Sequence, residues 1–119
     1  MKALRLSLLI FASLFSLCTP PARVEPFSYA EVQAQNPPGT PGVRYDGFVN
    51  TAATPVYGPK DALRCAEAEC TLEYDTTQIS FDASTRMWCV TFCQSDFPGG
   101  DQRVFLDCNG VTHLIVYGE

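Results

Sequence analysis

Residues 103–117 read RVFLDCNGVTHLIVY, and their reading decides the fold. Arg103–Cys108 and Val111–Tyr117 are short runs rich in β-branched and apolar side chains, separated by Asn109-Gly110. Asn-Gly accepts positive φ at both positions of a two-residue type I′ turn, so the stretch predicts a hairpin of fixed register. Cys108 then stands opposite Val111, Leu106 opposite His113, and Val104 opposite Ile115, all six on one face by period-2 alternation. The other face carries Phe105, Asp107, Thr112, Leu114 and Val116. Both faces are largely apolar, which predicts an interior hairpin covered on both sides.

Upstream, Gln78–Asp82 (QISFD), a turn at Ala83–Thr85 and Arg86–Cys93 (RMWCVTFC) predict a second hairpin. The loop Asp96–Asp101 (DFPGGD) leads from it into the first, and a short strand is expected over Thr71–Asp75. Asp61–Cys70 (DALRCAEAEC) is the one helix candidate: Asp61 can cap it and three alanines favour it. The expected fold class is a small disulfide-stabilised β-rich (α+β) domain, an antiparallel sheet of about four strands with one short helix.

The domain so defined is Val43–Glu119, 77 residues with five cysteines. At that size burial alone is marginal, and each disulfide adds roughly 2–4 kcal/mol, so staples are expected. The candidates are Cys65, Cys70, Cys89, Cys93 and Cys108. Cys89 and Cys93 share a side of one strand, yet their Cα atoms stand roughly 13 Å apart in extended chain. A disulfide needs under about 7 Å. The two therefore need different partners. One bridge is expected from the helical segment to this strand, and a second from the strand to the same segment or to Cys108. Trp88, Val90 and Phe92 point to the opposite side and should enter the core. Five is odd, which leaves a buried free thiol, an intermolecular bridge or a reactive cysteine.

Residues 19–42 (TPPARVEPFSYAEVQAQNPPGTPG) hold six of the nine prolines, at Pro20, Pro21, Pro26, Pro37, Pro38 and Pro41. Proline lacks the backbone donor and resists helix interiors and central strands, so this stretch reads as a linker or a pro-segment. The stretch around Pro37–Gly42 should be extended or disordered. Residues 1–18 read as a secretory signal: Lys2 and Arg5 precede the apolar run Leu6–Leu17. That run has 12 residues, short of the roughly 20 that a spanning helix needs. Cleavage is expected before Thr19, or alternatively after Ala22. A Cys18 lipoprotein is disfavoured because Leu17 stands where a small residue is wanted. Removing 1–18 leaves 6 basic against 13 acidic residues, a formal charge of −7. No later run could span a bilayer, so an exported product is expected.

The full chain carries 8 Lys+Arg against 13 Asp+Glu, and one histidine. Phosphate binding runs on Lys and Arg, so a nucleic-acid binder is disfavoured. One histidine excludes two-His metal motifs within a chain. Zinc on the CxxxxC and CxxxC pairs with His113 is disfavoured too, since structural sites use tighter pairs and a reducing compartment. No cofactor is expected. His113 could act as a general base helped by Glu73, Asp107 or Arg103. The plainer reading is a structural histidine in a hairpin. The acidic run Glu67, Glu69, Glu73 and Asp75 reads as a solvated face, and Phe97 in the 97–100 loop as local packing.

This layout (signal peptide, Pro-rich spacer, short acidic cysteine-rich β-domain, no enzymatic motif) resembles the small secreted cysteine-rich effectors of plant-associated filamentous fungi. Its length and cysteine count are similar to those of proteins that vascular-wilt fungi secrete into xylem. The resemblance implies a non-enzymatic virulence-type protein that binds a host protein or pairs with a co-secreted effector as a heterodimer. It would act in the apoplast, the xylem or the host cell. The alternatives are a small ribonuclease-like hydrolase using His113, and a secreted inhibitor or toxin.

Overall fold

The computed structural model describes residues 23–96 and 100–118. The expected signal segment 1–18 and Phe97 of the expected loop lie outside the described residues. Six strands occur in the order β1 Val24–Pro26, β2 Val43–Arg44, β3 Thr76–Asp82, β4 Met87–Cys93, β5 Asp101–Leu106 and β6 Thr112–Tyr117. Helix α1 spans Tyr29–Gln35, and α2 spans Pro59–Glu67. The strands form one mixed sheet in the order β1-β3-β4-β5-β6-β2. β3 to β6 are an antiparallel meander; β1 lies parallel to β3 at one edge, and β2 antiparallel to β6 at the other.

The expected fold class is therefore corrected on three counts. Among the described residues the sheet has six strands and is mixed, there are two helices, and all five cysteines are free. Residues 23–42, expected as a linker or pro-segment, supply β1 and α1. Pro37–Val43 forms two successive turns, through Thr40 N–H to Pro37 O and Val43 N–H to Thr40 O. The expected strand at Thr71–Asp75 is irregular chain instead. There the Thr71 N–H and hydroxyl donate to the side chain of Gln102, a buried β5 residue whose amide donates to Glu69 O.

Each face of the sheet has its own core. Trp88, Val90 and Phe92 of β4 join Ile79, Val104, Leu106 and Ile115 under α2, which adds Ala62, Cys65 and Ala66. Phe81 and Trp88 rings pack at 4.5 Å. On the reverse face, Met87, Cys89, Phe105, Leu114 and Val116 lie with Tyr29 of α1. Phe27 and Tyr29 both set their rings on Phe105, at 5.8 and 5.7 Å. The central hairpin is thus apolar on both faces because each face is buried.

Helix α2 begins at Gly58 with Pro59 in its first turn, where the missing N–H costs nothing. Asp61 is not the N-cap, as the sequence suggested. It sits inside the first turn and accepts the Tyr57 N–H at 3.0 Å. Helix α1 is capped by Ser28, whose hydroxyl accepts the Glu31 N–H.

Strand parity separates the two β4 cysteines from the other three. Cys89 lies in the α1-side core, and Cys93, two alternations on, shares its face. Cys65, Cys70 and Cys108 pack against the α2-side core. The sheet stands between the two sets, and Cys89 and Cys93 are too far apart in extended chain to pair. On the α2 side each thiol is turned to a carbonyl: Cys65 to Ala52 O, Cys70 to Leu72 O, Cys108 to Arg86 O. The expected helix-to-strand bridge does not form.

Candidate functional site

The hairpin tip departs from the expected two-residue turn. Gly110 N–H donates to Asp107 O, and Asp107 N–H to Val111 O, which closes a three-residue loop over Cys108, Asn109 and Gly110. Gly110 has φ +79, and a Cβ there would stand 2.5 Å from Thr54 O. Glycine is required at this position. Asp107 decides the turn: its Oδ1 accepts the N–H groups of Asn109 and Val111. A register shift follows, since Leu106 pairs with Thr112 but Phe105 with Leu114. Val104 opposite Ile115 stands as the sequence implied, whereas Leu106 does not face His113. His113 is the extra residue of a bulge.

The bulge turns His113 out of the sheet, and its Nε2 meets Asp107 Oδ2 at 2.8 Å, with 47% of the His113 side chain exposed. Burial alone would raise the Asp107 pKa; hydrogen bonds from His113, Val111 and Asn109 outweigh it and hold the carboxyl below its ordinary value. Of the helpers considered for His113, the structure brings Asp107. Arg103 pairs in the sheet with Thr91 and Val116. Glu73 lines a shallow depression of about 200 Å³ with Tyr74, Asp75, Gln94 and Asp96.

A second segment is fastened to this tip. Val56 N–H donates to Cys108 O at 2.8 Å, and Asn50 Oδ1 accepts the Thr112 N–H at 2.7 Å. Arg64 of α2 donates to the Thr54 hydroxyl at 2.7 Å and lies 3.6 Å from Asp61. Tyr57 stands between these fastenings with its side chain in solvent, at 88% exposure. Sequence reasoning did not single out Tyr57. The signal available was an aromatic residue immediately before Gly58-Pro59, a helix start that leaves no apolar pocket for its ring.

The acidic run is mostly occupied by local bonds. Glu67 accepts the Tyr74 hydroxyl, Glu69 the Asn50 N–H, and Asp75 the Ser95 and Thr76 hydroxyls. The Ser95 and Thr76 hydroxyls, with the Ser95 N–H, lower the Asp75 pKa. Among the described residues no cluster of three or more His, Cys, Asp or Glu is placed to hold a metal ion. No described helix is long and apolar enough to cross a membrane.

The two β4 thiols are held in the protonated form. Burial pushes Cys89 up to about 11, and burial together with Asp101 and Asp75 raises Cys93. The thiolate is the reactive form, so neither is tuned as a nucleophile. What the corner can offer is contact: a tyrosine held in solvent beside a paired arginine. Comparison with protein families, curated proteins and solved structures gives no match to this chain.

Proposed function

We propose that this is an exported, non-enzymatic interaction protein of the effector type, which acts by binding a host protein or a co-secreted protein. The observation that carries the reading is Tyr57. Its ring is 88% exposed while the backbone is held on both sides, by Val56 N–H to Cys108 O and by Tyr57 N–H to Asp61. A pre-positioned tyrosine supplies contact area and a polar tip at small entropic cost, which is why tyrosine is enriched among binding hot spots. His113 supports the same reading, because its Nε2 is engaged by a carboxylate that also closes the hairpin turn. Export rests on residues 1–18. The five described cysteines are free, which suits a reducing host cell as well as the apoplast or xylem.

Capture of partners from infected host tissue tests this. Tyr57→Ala should weaken capture by about tenfold or more at an unchanged unfolding midpoint; unchanged capture would remove Tyr57 from the interface. The competing reading, a ribonuclease-like hydrolase, has the Asp107–His113 contact in its favour. His113→Ala should leave binding intact and cost under about 1 kcal/mol of stability, as exposed pairs do. Turnover of RNA, peptide or glycan that disappears in a folded His113→Ala protein would overturn the proposal.

A further inference from the structure

The segment 23–42 runs from one edge of the sheet to the other. β1 lies beside β3 at one edge and β2 beside β6 at the other, so the chain between them crosses the full α1-side face. That is five strand spacings, about 24 Å. Its fastenings are few. β1 has three residues, all exposed, and α1 buries only Tyr29. The Tyr29 N–H donates to Asp82 Oδ2 at 2.8 Å, and the Tyr45 hydroxyl donates to Asn36 O. An element with so few buried contacts opens as a unit well below the cost of global unfolding.

The connection to the rest of the chain is Pro37-Pro38-Gly39-Thr40-Pro41, folded back in two tight turns and then pinned where Tyr117 N–H donates to Gly42 O. Three prolines in five residues favour an extended polyproline-type path over that compact one. Opening the strap relieves the folded-back hinge but uncovers Met87, Cys89, Phe105, Leu114 and Val116. The occupant that fits this face is the strap itself, and a second copy carries an identical one.

We propose that β1 and α1 exchange between two copies of this chain, each strap closing the other copy's α1-side face, with Pro37–Pro41 as the hinge. Every strap contact, from the Phe27 and Tyr29 rings on Phe105 to the Asp82 bond, is remade between chains, so exchange costs only association. A tethered segment competes at an effective concentration on the order of millimolar, so exchange sets in when the protein is refolded or stored near that concentration.

The test uses the exported chain. Refolded at micromolar concentration it should run as a monomer; refolded near millimolar it should yield a species of twice that mass in light scattering, with Cys89 still protected from alkylation. Glu25 and Ser80 are aligned across β1 and β3. In Glu25→Cys/Ser80→Cys, that species should give a covalent dimer on a non-reducing denaturing gel, with the parent chain oxidised alongside as the control. A cross-linked monomer from the dimeric fraction, or no dimer at any concentration, overturns the proposal. Should the double variant not fold, a chain with Pro37, Pro38 and Pro41 all changed to Gly decides. Its dimer fraction should fall roughly tenfold, since each proline removed returns freedom that favours the folded-back hinge; an unchanged fraction overturns it.

Discussion

On one face of the sheet, α2 and the chain leading into it cover a core running from Ile79 through Val90 and Phe92 to Ile115. On the other, a single strap with one buried helical residue covers Met87, Cys89, Phe105, Leu114 and Val116. Both covers exclude water, but they are tied down differently. The α2 side is fastened along its length, by Val56 to Cys108, Asn50 to Thr112, Arg64 to Thr54 and Gln102 to Glu69 and Thr71. The strap side is held by the Phe27 and Tyr29 rings on Phe105, the Asp82 carboxylate, the three-residue pairing of β1, and single bonds from Tyr45 to Asn36 O and from Tyr117 N–H to Gly42 O. A covered face and a fastened face are thus separate properties, and they should fail separately.

The largest effect is expected on the fastened side. Phe92 is fully buried, and Phe92→Ala should cost about 3–5 kcal/mol and unfold the domain as a whole in denaturant titration. Loss of structure confined to one face would break the contrast. Tyr29→Ala should cost less, about 2–3 kcal/mol, because its ring closes the smaller of the two cores. Its signature is local: alkylation of Cys89 should accelerate while Cys65 stays protected, since only the α1 side opens. Equal acceleration at both thiols would show that the faces open together.

Acid should act on the same fastening. The Tyr29 N–H first, then the Ser84 and Thr85 hydroxyls, hold the Asp82 carboxyl well below the usual carboxylate range. An unfolded aspartate takes up its proton near about 3.9, whereas the folded carboxyl takes it up only in stronger acid. The contribution is therefore complete above that value and is lost as pH falls through the folded pKa. Asp75 and Asp107 are depressed too and add to the same slope. Titration from pH 5 downward should expose Cys89, measured by quenched alkylation, before global unfolding by circular dichroism. Asp82→Asn should flatten that first step.

The same contrast explains how much was legible in the sequence. The strands of both hairpins show in period-2 alternation and turn residues, and Trp88, Val90 and Phe92 enter one core as that alternation implies. The strap was hidden because six prolines in 19–42 suggest a linker, while β1 is only three residues long and ends at Pro26. Its trace was Ser28-Tyr-Ala-Glu31, a capping-box pattern ahead of helix formers. The turn register was missed because Asp107 was weighed as a sheet residue. Its carboxylate instead closes a longer loop and sends His113 into a bulge. Tyr57 leaves one trace, its place before Gly58-Pro59, but its exposure is set by what the fold leaves uncovered. Disulfides are expected from count and chain length, but the sheet parts Cys89 and Cys93 from the other three, whose thiols each turn to a backbone carbonyl.

Burial on both faces holds this domain together, with no covalent staple among the described residues. Chemical denaturation of the chain with and without a reducing agent tests it most directly. The same midpoint and slope are expected in both conditions. A midpoint that falls on reduction by the equivalent of about 2–4 kcal/mol, the loss expected of a broken disulfide, would contradict it.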